Sequence, residues 1–383
     1  MGRYAARTGG IEPFLAMEVL ERAQAMERDG VRVLHLEIGE PDFPAPASVL
    51  AATRLALDRG QTRYTDSRGL AELRGAIARD KGRRAGVDVD PERVLVTQGT
   101  SPAMLLTFSL LLEAGDEVLI PSPHYPCYPS FVRLFGGVPV FVPTDPERGY
   151  AIDPARMREA LTPRTRALVY GSPANPTGAV QERATVEALA SLGPTVVADE
   201  IYDGLLYDGA AVASALAATD DAFVLDGFSK RHAMTGFRLG YVVAPSAAMR
   251  TLQVLQQNLF ISASELAQRG GLAALAEGDA SVRSMAAAYG RRRSLLVEGL
   301  RKLGFGVPTL PPGAFYVLAD ARRWGADSRR LAFRLLEEAH VAVTPGVDFG
   351  AAGEGFLRFC YAASEDVIAE AIARLGDVLG APS

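Results

Sequence analysis

Cysteine is nearly absent: Cys127 and Cys360 are the only two in 383 residues. That is too few for a disulfide framework, and no Cys-x-x-Cys pair is present for metal or redox work. The histidines His35, His124, His232 and His340 are scattered without ligand spacing, so no metal site is expected. Positive charge is not in surplus either. With 40 Lys and Arg against 45 Asp and Glu, the net charge of −5 offers no basic face to nucleic acid or to an anionic membrane. Long apolar runs are missing, and stretches such as residues 104–112 (MLLTFSLLL) fall far short of a membrane span. The opening MGRYAARTGGIEPF has no apolar h-region of a signal peptide, and Ala6 stands where a myristoylation signal wants Ser or Thr. The expectation is a soluble, cytoplasmic protein with no nucleic-acid or membrane partner. Among the cations, lysine is the scarce one: only Lys81, Lys230 and Lys302 accompany the many arginines.

What is present begins with apolar content, 48% of the chain, enough for a large core divided into two lobes. Residues 11–28 carry apolar side chains at helical spacing, 34–38 form a short strand, and GEPDFPAP is a punctuated loop. Residues 48–59 and 69–84 read as amphipathic helices joined by a loop carrying Tyr64. From Val94 onward, apolar strands alternate with helical stretches: 94–99, 117–123, 138–143, 167–173, 195–200, 222–227 and 239–245. Continuous apolar runs separated by helices predict an α/β fold, with a mostly parallel seven-stranded sheet covered by helices on both faces. Residues 249–277 and 279–303 read as helical, the second a long connector. The rest mixes helices with short strands (AFYVLAD, VAVTPG, FLRFCYA), a smaller α+β domain completed by the N-terminal segment. The expected division is 1–45 for the arm and part of the small domain, 46–278 for the large domain, and 279–383 for the connector and small domain.

In open α/β sheets, ligands bind beyond the carboxyl ends of the strands. The first strand is followed by Gly99-Thr100-Ser101 and a helix, a phosphate cradle although such residues alone are more often a plain helix cap. The second presents Tyr125, which alone reads as packing. The fourth gives SPANPTG with Asn175, and the fifth Asp199, Glu200 and, beyond them, Tyr202. The sixth gives Lys230, and the seventh opens with Arg238, eight residues on. Arginine cannot lose its proton to form a Schiff base, whereas a desolvated lysine can, which marks out Lys230. A ligand with a phosphate, an aromatic nitrogen ring, a phenolic oxygen and an aldehyde would satisfy the whole set. Pyridoxal 5′-phosphate has all four.

At these motifs the sequence resembles the class I aminotransferases, fold-type-I pyridoxal-phosphate enzymes. The resemblance runs from IEPFLAMEVLERA and IGEPDFPAP through SPANPTG, VADEIYDGL and SKRHAMTGFRLGY to FLRFCYA. It implies that Lys230 carries the cofactor as a Schiff base and moves the proton from substrate Cα to C4′. Asp199 would keep the pyridine nitrogen protonated, while Tyr202 and Asn175 bond the phenolic oxygen. Tyr125 would stack on the ring, and Thr100, Ser101 and Arg238 would bind the phosphate. Tyr64 would reach the phosphate of a partner subunit, making a homodimer with shared active sites. Arg358 would clamp the substrate carboxylate with help from Gly39 and Asn175. His124, His232 and Cys127 are read as bystanders, the last as a loop residue, and Glu200 and Asp203 as structural or solvated.

Two departures from the family pattern matter. Gly227 stands where many relatives have a hydroxyl that touches phosphate. Ser101 stands where an aspartate-preferring subgroup has a lysine for the distal carboxylate. The expected function is therefore ping-pong transfer of an α-amino group from an L-amino acid to a 2-oxo acid, neutral donors favoured. A distal cation from Arg3, Arg7 or Arg32 is the route by which acidic donors would be accepted. The alternatives are a C–S β-lyase on the same scaffold or an aspartate aminotransferase. A regulator with such a domain would need a DNA-binding segment ahead of it, and only a short segment precedes the motifs.

Overall fold

The computed structural model describes residues 6–380. Twelve strands follow in chain order: β1 (Leu34–His35), β2 (Val94–Thr97), β3 (Glu117–Ser122), β4 (Val138–Pro143), β5 (Thr165–Gly171) and β6 (Thr195–Asp199), then β7 (Phe223–Gly227), β8 (Gly240–Val243), β9 (Tyr316–Asp320), β10 (Val341–Ala342), β11 (Thr344–Pro345) and β12 (Phe356–Cys360). The seven expected strands make one sheet in the order β2-β8-β7-β6-β5-β3-β4. Only β8 runs antiparallel to its neighbours, β2 and β7.

Successive strand residues point to opposite faces, and both faces are covered, which is why these strands read as unbroken apolar runs. One face sends Val96, Leu168, Val196 and Val224 against Leu73, Ile77, Val186 and Ala267 of the flanking helices. The other sends Leu95, Val169, Val197 and Leu225 against Leu106, Phe108, Val132 and Leu252. The register aligns Gly171 with Asp199, Asp199 with Leu225, and Gly227 with Gly240. Because β8 is antiparallel, its first residues lie at the same sheet edge as the last residues of β5, β6 and β7. Arg238 is thereby brought to the edge where Asp199 and Lys230 emerge.

A three-stranded antiparallel sheet, β11-β12-β9, lies alongside, with Arg358 of β12 opposite Leu318 and Thr344. The N-terminal β1 pairs parallel with β10, so residues 34–35 join the C-terminal part of the chain as expected.

Three local expectations change. The first helix begins at Leu15, not at Ile11. Pro13 disfavours a helical residue before it. The helical run expected over 249–277 is two helices, Ser246–Leu259 and Glu265–Glu277, parted where Ile261 takes φ +67°. The break is held from outside: Gln98 Nε2 donates to the carbonyls of Phe260 and Ser262, at 3.2 and 2.8 Å. Ser264 then caps the second helix. Cys127 is not in a loop but opens the helix Cys127–Leu134.

Candidate active site

A cavity of about 310 Å³ sits at this edge, walled by residues from the seven-stranded sheet, the N-terminal segment and β12. Ten of the eleven residues singled out in the sequence line it: Gly39, Thr100, Ser101, Tyr125, Asn175, Asp199, Tyr202, Lys230, Arg238 and Arg358. Tyr64 does not; it is 79% exposed, away from the cavity of its own chain.

Lys230 follows β7 and its Nζ donates to the Gly39 carbonyl at 2.6 Å. Burial lowers its pKa to about 8, against the opposing pull of Glu40. Asp199 ends β6, buried, its Oδ2 accepting the Tyr128 hydroxyl at 3.0 Å and its Oδ1 the Ile201 amide at 3.3 Å. Burial outweighs these bonds and raises its pKa to about 6. A carboxylate held this way gains from a cationic partner in the cavity.

The cradle is built by two glycines. Gly99, at φ +94°, precedes the helix Thr100–Leu111 and gives it no side-chain cap, so first-turn amides stay free for an anion. A Cβ on Gly99 would lie 2.9 Å from an Arg238 guanidinium nitrogen, and one on Gly240 would lie 2.8 Å from the Thr100 nitrogen. Neither position tolerates a side chain without parting the arginine from the helix end. Arg238 itself takes φ +51°, a strained conformation for a residue with a Cβ, and donates to Thr235 O at 3.0 Å.

Gly227 has a structural reason. Its Cβ would meet the Gly240 Cα and the Leu239 carbonyl at 3.0 Å, so a hydroxyl side chain there would push β7 from β8. The fit of the cradle to a phosphate rests on Thr100, Ser101, Arg238 and the helix amides.

Arg358 is 2% exposed. It donates to Asn175 Oδ1 at 2.9 Å, to Thr344 Oγ1 at 3.0 Å and to the Glu37 carbonyl. Its guanidinium lies over the rings of Tyr316 (4.4 Å) and Phe349 (4.9 Å), while Nε is buried without a partner. An oriented, stacked arginine with a donor to spare suits a carboxylate. Tyr125 is held edge-on by Tyr128 and Phe14, with centroids at 5.4 and 6.3 Å. Tyr202 and Tyr316 share a hydroxyl bond of 2.8 Å.

Several contributors escaped the sequence reading. Tyr128, under Asp199, is one; its only signal is the repeated tyrosine in YPCY. Tyr316 is another: a Cβ on Gly39 would lie 1.9 Å from its hydroxyl, so that glycine admits the ring. Glu40 and Thr235 also line the wall, bonded to one another. The bystanders lie elsewhere: His124 stacks on Phe141 at 4.9 Å, and His232 packs beside Phe228. Lysine scarcity singled out two residues rather than one, since Lys81 is wholly buried. Of the suggested distal cations, Arg32 pairs with Glu370 at 2.8 Å and does not line the cavity. Arg3 lies outside the described residues, as does the side chain of Arg7.

The family model for aminotransferase class I and II matches residues 31–375. The aspartate/prephenate aminotransferase of Thermus thermophilus is 42% identical over 381 residues, 98% of either chain. The valine–pyruvate aminotransferase of Mycobacterium tuberculosis is 37% identical, again covering 98% of each. The structure of the Thermus thermophilus aspartate aminotransferase with maleate superposes with a TM-score of 0.94 at 41% identity, covering 99% of this chain and all of that one. The mostly parallel seven-stranded sheet flanked by helices is the fold of these aminotransferases. The chain belongs to the class I and II aminotransferase family, and its activity is transamination. These relatives are transaminases by name, which favours that reading over the C–S β-lyase.

Proposed function

We propose that the cavity holds pyridoxal 5′-phosphate and that the enzyme moves the α-amino group of an L-amino acid to a 2-oxo acid, with neutral amino acids as the better donors. One observation carries the cofactor assignment: the one lysine lining the cavity among the described residues lies half-buried among an anion cradle, a buried carboxylate and an oriented arginine. When bound, the cofactor supplies an electron sink for the pair left at the substrate Cα. Lys230, with its lowered pKa, would hold the cofactor and carry the proton at the substrate Cα. Asp199 pairs with the ring nitrogen, Tyr125 stacks on the ring, and Tyr202 and Asn175 bond the phenolic oxygen. Thr100, Ser101 and Arg238 hold the phosphate. Arg358, braced by Asn175, takes the substrate carboxylate, beside Gly39.

Donor preference rests on the rest of the wall. Phe14, Met17 and Ile38 are apolar, Ser101 is neutral, and Glu40 is acidic. Among the described residues the cavity's cations are Lys230, Arg238 and Arg358, each given a task above. A distal carboxylate would meet no cation of its own, and an unpaired buried charge costs several kcal/mol on the usual scale. The runner-up, an aspartate aminotransferase, is favoured by the name of the Thermus thermophilus relative. Steady-state kinetics over alanine, leucine, methionine, phenylalanine, aspartate and glutamate separates the two. An aspartate kcat/KM above that of every neutral donor would overturn the preference.

The proposal extends to a homodimer in which Tyr64 reaches a partner's phosphate. Tyr64 is exposed, as are Val254, Leu259 and Ile261, and Thr65 N beside it donates to Ser262 Oγ at 3.3 Å, one residue from Ile261. Exposed apolar groups gathered this way suit a subunit contact. The scarcity of cysteine fits a cytoplasmic location, and among the described residues no helix is long and apolar enough to cross a membrane. The proposed division falls at residues 45/46 and 278/279; an apolar cluster around Leu296, Leu335, Leu357 and Ile368 joins Leu34 and Leu36 to the C-terminal part and also takes in Ile201, Tyr202, Leu205 and Tyr207 of the large domain.

A further inference from the structure

Three residues of the proposed site share one arrangement. Asp199, Tyr202 and Lys230 face the cavity, and the next residue in each case, Glu200, Asp203 or Arg231, is buried and tied to a single ionic cluster. Lys81 is at its centre. Its Nζ lies 2.5 Å from Glu200 Oε2, 3.0 Å from Asp226 Oδ2 and 3.2 Å from Asp203 Oδ2. Arg84 bridges Asp226 at 2.9 Å and Asp80 at 3.0 Å, and also contacts Asp203. Arg231 grips Asp80 at 2.6 Å and Asp279 at 3.2 Å. The Tyr241 hydroxyl donates to Asp226 at 2.9 Å.

The side chains of Lys81, Glu200 and Asp226 are at most 1% exposed. Desolvating ions at that depth costs about what their attraction returns, and apolar side chains of the same volume commonly fold as well. Stability alone therefore does not account for the cluster; its placement does. Glu200 is joined to Asp199 through the chain. Asp226 sits on β7, next to the residue paired with Asp199, and four positions before Lys230. Removing the charge of Lys81 would leave these two carboxylates less balanced behind the proposed site.

We propose that the Lys81 cluster is a positioning device for the cofactor site, clamping the backbone beyond Asp199, Tyr202 and Lys230 and setting the electric field that they feel. Lys81 does so without lining the cavity. The inference rests on the proposed roles of Lys230 and Asp199. Lys230 also feels Glu40, Arg238 and Arg358 of the cavity wall and the buried Cys360 thiol, which no change in the cluster removes.

The test uses the holoenzyme and follows the pH midpoint of the visible absorbance from the cofactor on Lys230, together with the cofactor dissociation constant and Tm. Lys81→Met removes a positive charge behind the site, so the midpoint should rise by about half a pH unit. Asp226→Asn keeps the shape, removes a negative charge and should lower it by a similar amount. Lys81→Arg should leave it in place. Opposite shifts are the signature, because loosened packing would move both variants the same way or neither. Unmoved midpoints, or shifts of one sign, with only Tm lowered, would overturn the inference. Should Lys81→Met fail to fold, the fall in Asp226→Asn decides alone. Wild-type protein with no such absorbance would instead sink the reading of Lys230, and this inference with it.

Discussion

Tyr128 donates its hydroxyl to Asp199 Oδ2 at 3.0 Å beneath the cavity. That bond favours the charged carboxylate, against the burial that raises its pKa to about 6. Tyr128→Phe should lower kcat/KM roughly tenfold, the scale of one hydrogen bond to a charged group. Asp199→Asn should cost on the order of a hundredfold or more, as expected for losing the charge opposite the ring nitrogen. Wild-type kinetics in the asparagine variant would show that Asp199 has another task.

Lys230 should be the Schiff-base residue. Borohydride reduction of the holoenzyme followed by peptide mapping should place the label on Lys230. Lys81 is sealed among carboxylates and should stay unlabelled. Lys230→Arg should abolish turnover in a protein that still folds. Label on Lys81 or Lys302 would contradict the assignment.

The lowered pKa of Lys230 has a kinetic consequence. Only the neutral amine attacks an aldehyde, so capture of pyridoxal 5′-phosphate by apoprotein should quicken about tenfold per pH unit up to about pH 8, then level off. The linkage has a definite sign. The folded value, about 8, lies below the unfolded 10.5, so this group opposes folding below about pH 8, and the penalty lifts as pH rises toward 10.5. Stopped-flow reconstitution over that range checks the first statement. A rate independent of pH would refute it.

Arg358→Lys should raise KM for every amino-acid donor roughly thirty- to a hundredfold. A lysine keeps the charge but loses the planar fork and the stacking on Tyr316 and Phe349. Initial-rate kinetics on one neutral and one acidic donor is sufficient. An unchanged KM for both would mean the carboxylate binds elsewhere.

Tyr64→Phe and Lys230→Ala subunits, mixed after each has lost activity, should recover part of it through hybrid dimers that contain one intact site. Recovery should appear only after subunit exchange, which native mass spectrometry can verify. Exchange without recovery would leave Tyr64 outside any active site.

Much of this molecule was legible in one dimension. A strand buried on both faces writes itself as an unbroken apolar run, and seven such runs between helices amount to a covered parallel sheet. The residues following these runs meet around one cavity, because they emerge at the carboxyl edge of the sheet, where ligands bind in such folds. Gly99 was legible for the same local reason, a turn leading directly into a helix. Tertiary structure decided the rest, through pairings that no local pattern encodes. The antiparallel course of β8 brings Arg238 to the edge shared by Asp199 and Lys230, and the side chain of Gln98 breaks a helix far along the chain. Glu200 could be read as structural or solvated, because neighbouring residues do not show which face is buried. It is opposite Lys81, 119 positions earlier, that it finds its countercharge. Side-chain direction alternates by local geometry, whereas the partner waiting on each face is set by long-range packing.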